Sequence, residues 1–228
     1  VKWRIFVGVS LFIAPLWGFQ QLVVVMAPEM NATTGWLQRY EKGRVWEKRG
    51  EPIAVTLGRK GLGWEGDRFP QKREGDGRSP LGVFPIVSTF GYATTGLSSM
   101  PYWYANDQLI CVDEVNDARY NTMVILKEGE ILPKSYEQMY RKDNVYRYGA
   151  VIGYNPTGEK GRGSCLFFHL NHSNHRPTAG CTAMEEKPLI ELLRWLDPLQ
   201  KPHLLQIPQS ECLVYQKVFE GIVCVPKN

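Results

Sequence analysis

The one long apolar run, Ile5 to Phe19, uncharged and interrupted by Pro15, has only 15 residues and falls short of the roughly 20 that a membrane-spanning helix needs. Lysine and arginine never cluster densely, and the formal charge of +4 is spread along the chain, so nucleic acid is a poor partner. Glycines crowd Gly58 to Gly82, yet neither G-x-x-x-x-G-K-[ST] nor a strand-G-x-G-x-x-G-helix context occurs, which excludes a phosphate loop. Histidine is scarce: of four, His169, His172 and His175 fall within seven residues.

What is present suits one globular unit of 228 residues with an adequate core. The basic start Val1-Lys2-Trp3-Arg4 followed by the apolar run reads as a signal peptide or N-terminal anchor over residues 1–20, with no A-x-A cleavage site after it. That segment is the only part expected to contact a membrane, and export to the periplasm or cell envelope is the expected localisation. Five cysteines, Cys111, Cys165, Cys181, Cys212 and Cys224, leave one thiol unpaired in an oxidising compartment, and Cys181 is the candidate.

Short alternating apolar segments separated by Gly, Pro and Asn predict a mainly β chain with a few short helices, a β-rich α+β fold. Strands are expected at Leu22–Val25, Gly35–Tyr40, Val45–Lys48, Ile53–Leu57, Val83–Val87, Leu109–Asp113, Tyr120–Leu126, Tyr148–Tyr154 and Leu204–Ile207. For the first four, a meander over residues 22–57, antiparallel pairing is the economical description. Ser135–Arg141 reads as a short helix behind a serine cap, and Leu189, Leu192, Leu193 and Leu196 mark a longer one.

The chemistry concentrates in Gly163 to Met184, GSCLFFHLNHSNHRPTAGCTAM. An apolar run delivers His169 at its end, a polar loop follows, and Thr178-Ala179-Gly180-Cys181 brings a thiol to the start of an amphipathic segment. A cysteine becomes a strong nucleophile when an imidazolium or a helix N-terminus stabilises its thiolate. His169 is expected to supply the first and a helix starting just after Cys181 the second. Gly180 permits a sharp turn that aims backbone N–H groups beside the sulfur, as acyl transfer requires. An alternative is metal binding by H-x-x-H-x-x-H with Cys181; the loop composition does not bring those rings together, so no metal is expected.

Residues 163–184 resemble the active-site motif of the L,D-transpeptidase catalytic-domain family, in which a strand histidine precedes Ser/Thr-x-Gly-Cys. Lys72 to Phe84, KREGDGRSPLGVF, resembles that family's upstream P-x-G-x-F segment. Ala179 and Ala183 stand where many members carry a histidine and an arginine or asparagine. The resemblance implies an L,D-transpeptidase-like β-sandwich or open barrel over 21–208, followed by a C-terminal tail at 209–228. It implies catalytic Cys181, His169 and Gly180, with Thr178 and the Leu170 carbonyl ordering the site, and peptidoglycan stem peptides as partners. No cofactor is required. Tyr102, Arg162 and Arg176 are candidate substrate contacts. Water as acceptor would make the chain a carboxypeptidase, and a dead site would make it a wall-binding module.

Overall fold

A computed structural model describes residues 18–224. The expected leader therefore lies outside the described residues, except for its last three. Fourteen strands follow in chain order: β1 (Gln21–Ala27), β2 (Thr34–Lys42), β3 (Trp46–Thr56), β4 (Leu62–Gly63), β5 (Ser79–Pro80), β6 (Gly82–Gly91) and β7 (Tyr102–Tyr104). The second half holds β8 (Leu109–Val112), β9 (Met123–Ile125), β10 (Tyr136–Gln138), β11 (Tyr148–Ile152), β12 (Phe167–Leu170), β13 (Thr182–Met184) and β14 (His203–Pro208). Two helices, α1 (Glu186–Trp195) and α2 (Cys212–Gln216), complete a mainly β fold of the β-rich α+β class.

Nine strands form one sheet in the order β11-β12-β13-β3-β2-β1-β14-β6-β7, and β11 also pairs with β6. The long β6 makes this possible: Gly82–Pro85 pair with β14, whereas Ile86–Gly91 pair with β11. The sheet thus returns on itself. Its pairing is mixed, because β1–β14, β12–β13 and β6–β7 run parallel. The antiparallel meander expected over residues 22–57 is found in β1–β2 and β2–β3, whereas the parallel partners are distant in sequence or joined by long crossovers, which local patterning does not report.

β1 is buried at every position, as its QLVVVMA run between β2 and β14 demands. α1 covers the core with Leu189, Leu192 and Leu193. Two expectations are corrected. The separate strands at 45–48 and 53–57 are one 11-residue strand, β3, which pairs with β2 on both sides of a register shift between Leu37 and Arg39. Ser135–Arg141 is no helix: Tyr136, Glu137 and Gln138 pair with Val112, Cys111 and Ile110, and these ladder bonds override the helical spacing.

The three-stranded sheet β10-β8-β9 stands beside the large one. The Cys111–Cys165 disulfide ties β8 to the segment entering β12. A second disulfide, Cys212–Cys224, closes the C-terminal segment, whose Cys212, Phe219 and Ile222 are buried in the main core. Cys181 is the free cysteine. Two disulfides are compatible with an exported protein, and no helix among the described residues is long and apolar enough to cross a membrane.

Candidate active site

His169 is fixed on both sides. Its strand β12 pairs antiparallel with β11 (Gly149↔His169) and parallel with β13 (His169↔Ala183). Alternation along β12 sends Phe168 and Leu170 into the main core, while Phe167 joins a second cluster with Cys165, Tyr146 and Cys181. His169 shares the Phe167 face, where Tyr146 packs edge-on at 5.3 Å between ring centroids. In the parallel register Phe168 faces Thr182, so Cys181 sits beside Phe167, one alternate position (about 6.6 Å of strand) before the level of His169.

The imidazole is held in one tautomer. Its Nδ1 lies 2.7 Å from the Leu170 carbonyl oxygen; a carbonyl only accepts, so Nδ1 carries the proton and Nε2 keeps its lone pair. The N–H of the same peptide, that of Asn171, donates to the Met184 carbonyl at 2.8 Å, which holds that peptide in place.

The nucleophile turn is tied from several sides. Thr178 Oγ1 donates to the Cys181 carbonyl at 2.7 Å and accepts the Gly180 N–H at 3.1 Å. Ser79 Oγ donates to the same carbonyl at 3.1 Å and accepts the Gly58 N–H at 2.9 Å. Gly180 has φ +152°, and a Cβ there would lie 2.9 Å from the Arg78 carbonyl oxygen. Only glycine fits both conditions. The Phe167 N–H donates to Cys181 Sγ at 3.3 Å, and the thiol points to the Cys165 carbonyl at 3.6 Å.

Two electrostatic expectations are corrected. α1 begins at Glu186, and β13 occupies Thr182–Met184, so no helix N-terminus adjoins Cys181. Its pairing with β3 and β12 converts the expected first helical turn into strand. The pair is also not an ion pair at rest. Burial pushes the Cys181 thiol up to about 12, against the lowering effect of the Phe167 N–H. Burial likewise depresses His169 to about 4, opposed by its Leu170 hydrogen bond. At neutral pH the site holds a neutral thiol and a neutral imidazole.

Both residues line a cavity of about 550 Å³. Arg176, Thr178 and Gly180 line it as well. Two sequence candidates do not. The Tyr102 hydroxyl donates to the Ala93 carbonyl at 2.6 Å and lines a separate small pocket with Thr95, Leu97 and Tyr148, because β7 extends the edge of β6 opposite β11. Arg162 pairs with Glu159 at 2.8 Å and Glu65 at 3.2 Å, outside the cavity. His175 is exposed and pairs with Glu185 at 3.5 Å. No three His, Cys, Asp or Glu side chains among the described residues gather around a metal position.

Sequence reasoning missed part of the wall. Asp113 and Glu137 reach the cavity from the three-stranded sheet, with Tyr146 and Arg141 beside them. Tyr146 donates to Glu137 at 3.3 Å, and the Arg141 guanidinium lies 5.0 Å from the Tyr146 ring centroid. Burial raises both the Asp113 and the Glu137 carboxyl groups. Glu74, from the KREGDG segment, accepts from Tyr120 and Ser164 at 2.5 and 2.6 Å. No motif marks Glu137 or Tyr146; the one legible signal was the Lys72–Phe84 segment, which contains Glu74 and Ser79.

No protein-family model matches the chain, and no curated protein matches it.

Proposed function

We propose that the chain is a cysteine-dependent acyltransferase of the L,D-transpeptidase type, acting on peptidoglycan stem peptides in the periplasm or cell envelope. One observation carries the reading: a free thiol and a tautomer-fixed imidazole share one face and one cavity, on a turn that Thr178 and Ser79 hold rigid. The mixed charge of that cavity, with Glu74, Asp113 and Glu137 facing Arg59, Arg141 and Arg176, suits a peptide bearing both ammonium and carboxylate groups.

In this mechanism His169 Nε2 takes the Cys181 proton as the sulfur bonds to the carbonyl carbon of the L-centre–D-alanine bond. The Gly180 N–H is engaged by Thr178, which leaves the Cys181 N–H as the backbone donor for the tetrahedral oxyanion. The C–N bond then breaks, His169 returns the proton to the departing D-alanine nitrogen, and a thioester remains. An amine acceptor attacks that thioester, His169 takes the amine proton, and the thiol is restored.

The test is chromatography of a tetrapeptide stem incubated with the protein and an amine acceptor. D-alanine release with a cross-linked product, absent in Cys181→Ala, is the expected result. Tripeptide alone would indicate that water is the acceptor. No turnover of any tetrapeptide donor would contradict the reading.

A further inference from the structure

The C-terminal segment presents an apolar face that the fold does not cover. Leu213 is 68 % exposed, and Val214 and Val218 are each 52 % exposed. This face is rigidly presented. Cys212 and Phe219, which bracket it, are buried, the Cys212–Cys224 disulfide closes the segment, and the Trp46 N–H donates to the Glu220 carbonyl at 2.7 Å. Three large apolar side chains held outward on one short segment carry a desolvation cost in water that contact with an apolar phase removes.

The chain's apolar N-terminal run arrives at the same place. Phe19, its last residue, packs 5.6 Å from Trp46 and 6.1 Å from Phe219 between ring centroids, and stacks on His203 at 4.1 Å. Val218 immediately precedes Phe219, and Val214 lies one turn earlier. Seventeen residues precede Gly18, and Ile5 to Trp17 among them carry no charge. That run is short for a bilayer span, so an attachment built on it gains from further apolar surface beside Phe19. Three cations stand near, Lys217 exposed within the face, Lys42 over Trp46 at 5.3 Å, and Lys201, whose Nζ would lie 3.8 Å from a Cβ on Gly18, against the exposed Glu47 and Glu220.

We propose that the Leu213–Val214–Val218 face rests on the surface of an anionic lipid bilayer, beside Phe19, the last residue of the N-terminal apolar run. The apolar side chains enter the boundary between headgroups and acyl chains, and Lys42, Lys201 and Lys217 meet the anionic headgroups. This contact does not depend on the catalytic reading.

The test uses the full chain with vesicles of phosphatidylcholine and phosphatidylglycerol whose acyl chains are brominated. Val218→Trp adds an emission component at an exposed position, and the expected result is its quenching on the vesicles. Leu213→Asp combined with Val218→Asp is expected to weaken vesicle partitioning about tenfold or more, from lost apolar contact and added negative charge. An unquenched Trp at position 218 on vesicle-bound chain overturns the proposal. So does an absence of vesicle binding by the full chain, or a face already covered in buffer by a second copy, seen as a concentration-dependent shift of the added emission without lipid.

Discussion

The Ser79 hydroxyl donates to the carbonyl of Cys181, 102 residues later in the chain, at 3.1 Å. Because the same oxygen accepts the Gly58 N–H, one buried hydroxyl joins the upstream segment to the backbone of Cys181. Ser79→Ala leaves a buried N–H without its acceptor, and a loss of about 1–3 kcal/mol in folding stability is expected. Urea unfolding measures this, and thioester formation in the same variant is expected to slow as the turn loosens.

Gly180→Ala tests the steric side of the turn. A Cβ 2.9 Å from the Arg78 carbonyl, at φ +152°, forces the backbone to move, at a cost of about 1–3 kcal/mol. A lower Tm and loss of acylation are expected together. Ala179→Gly, one residue earlier, supplies the control for backbone freedom without the clash.

The pH dependence follows from burial. His169 must be unprotonated to act as base, so acylation rises as pH climbs through about 4. It then stays level through neutrality, because the Cys181 thiol ionises only near about 12. A thiolate–imidazolium pair would instead give a bell-shaped profile near neutrality. Stability obeys the same shifts. Between about 4 and 6.5 the unfolded chain binds a proton at His169 that the folded chain refuses, so stability rises with pH in that window. Above 9.0 the unfolded chain releases the Cys181 proton that the folded chain keeps, so stability falls towards about 12. Urea midpoints across this range read both limbs.

The disulfides differ in reach. Cys111–Cys165 spans 54 residues and Cys212–Cys224 spans 12. On the chain-entropy account their removal costs about 4 and about 3 kcal/mol, respectively. Only the first joins the two sheets that wall the cavity. Replacing both of its cysteines by alanine is expected to reduce acylation beyond what the stability loss explains, whereas the same change at 212 and 224 leaves acylation nearly intact. Denaturation combined with single-turnover assays separates the two effects.

The β character, the strand that ends in His169 and the odd cysteine at Cys181 were legible because each leaves a local mark: a two-residue period, an apolar run and a count. The Leu189–Leu193 face of α1 was equally plain. Residues whose environment is made by distant partners were not. Glu137 was hidden inside an apparent helix, and its strand exists only because Cys111 pairs with it. Tyr102 carries the right chemistry for a pocket but stands on the wrong edge of β6. The charge state of the Cys181–His169 pair was misread for the same reason, since motif spacing is silent about burial.

Intact-mass spectrometry of the protein after brief incubation with a tetrapeptide stem tests the central claim most directly. The account predicts a mass increase equal to the donor's acyl portion without D-alanine, mapped to Cys181, absent in Cys181→Ala and strongly slowed in His169→Ala. An unmodified Cys181 with every tetrapeptide donor, or an adduct that forms at the same rate without His169, would contradict it.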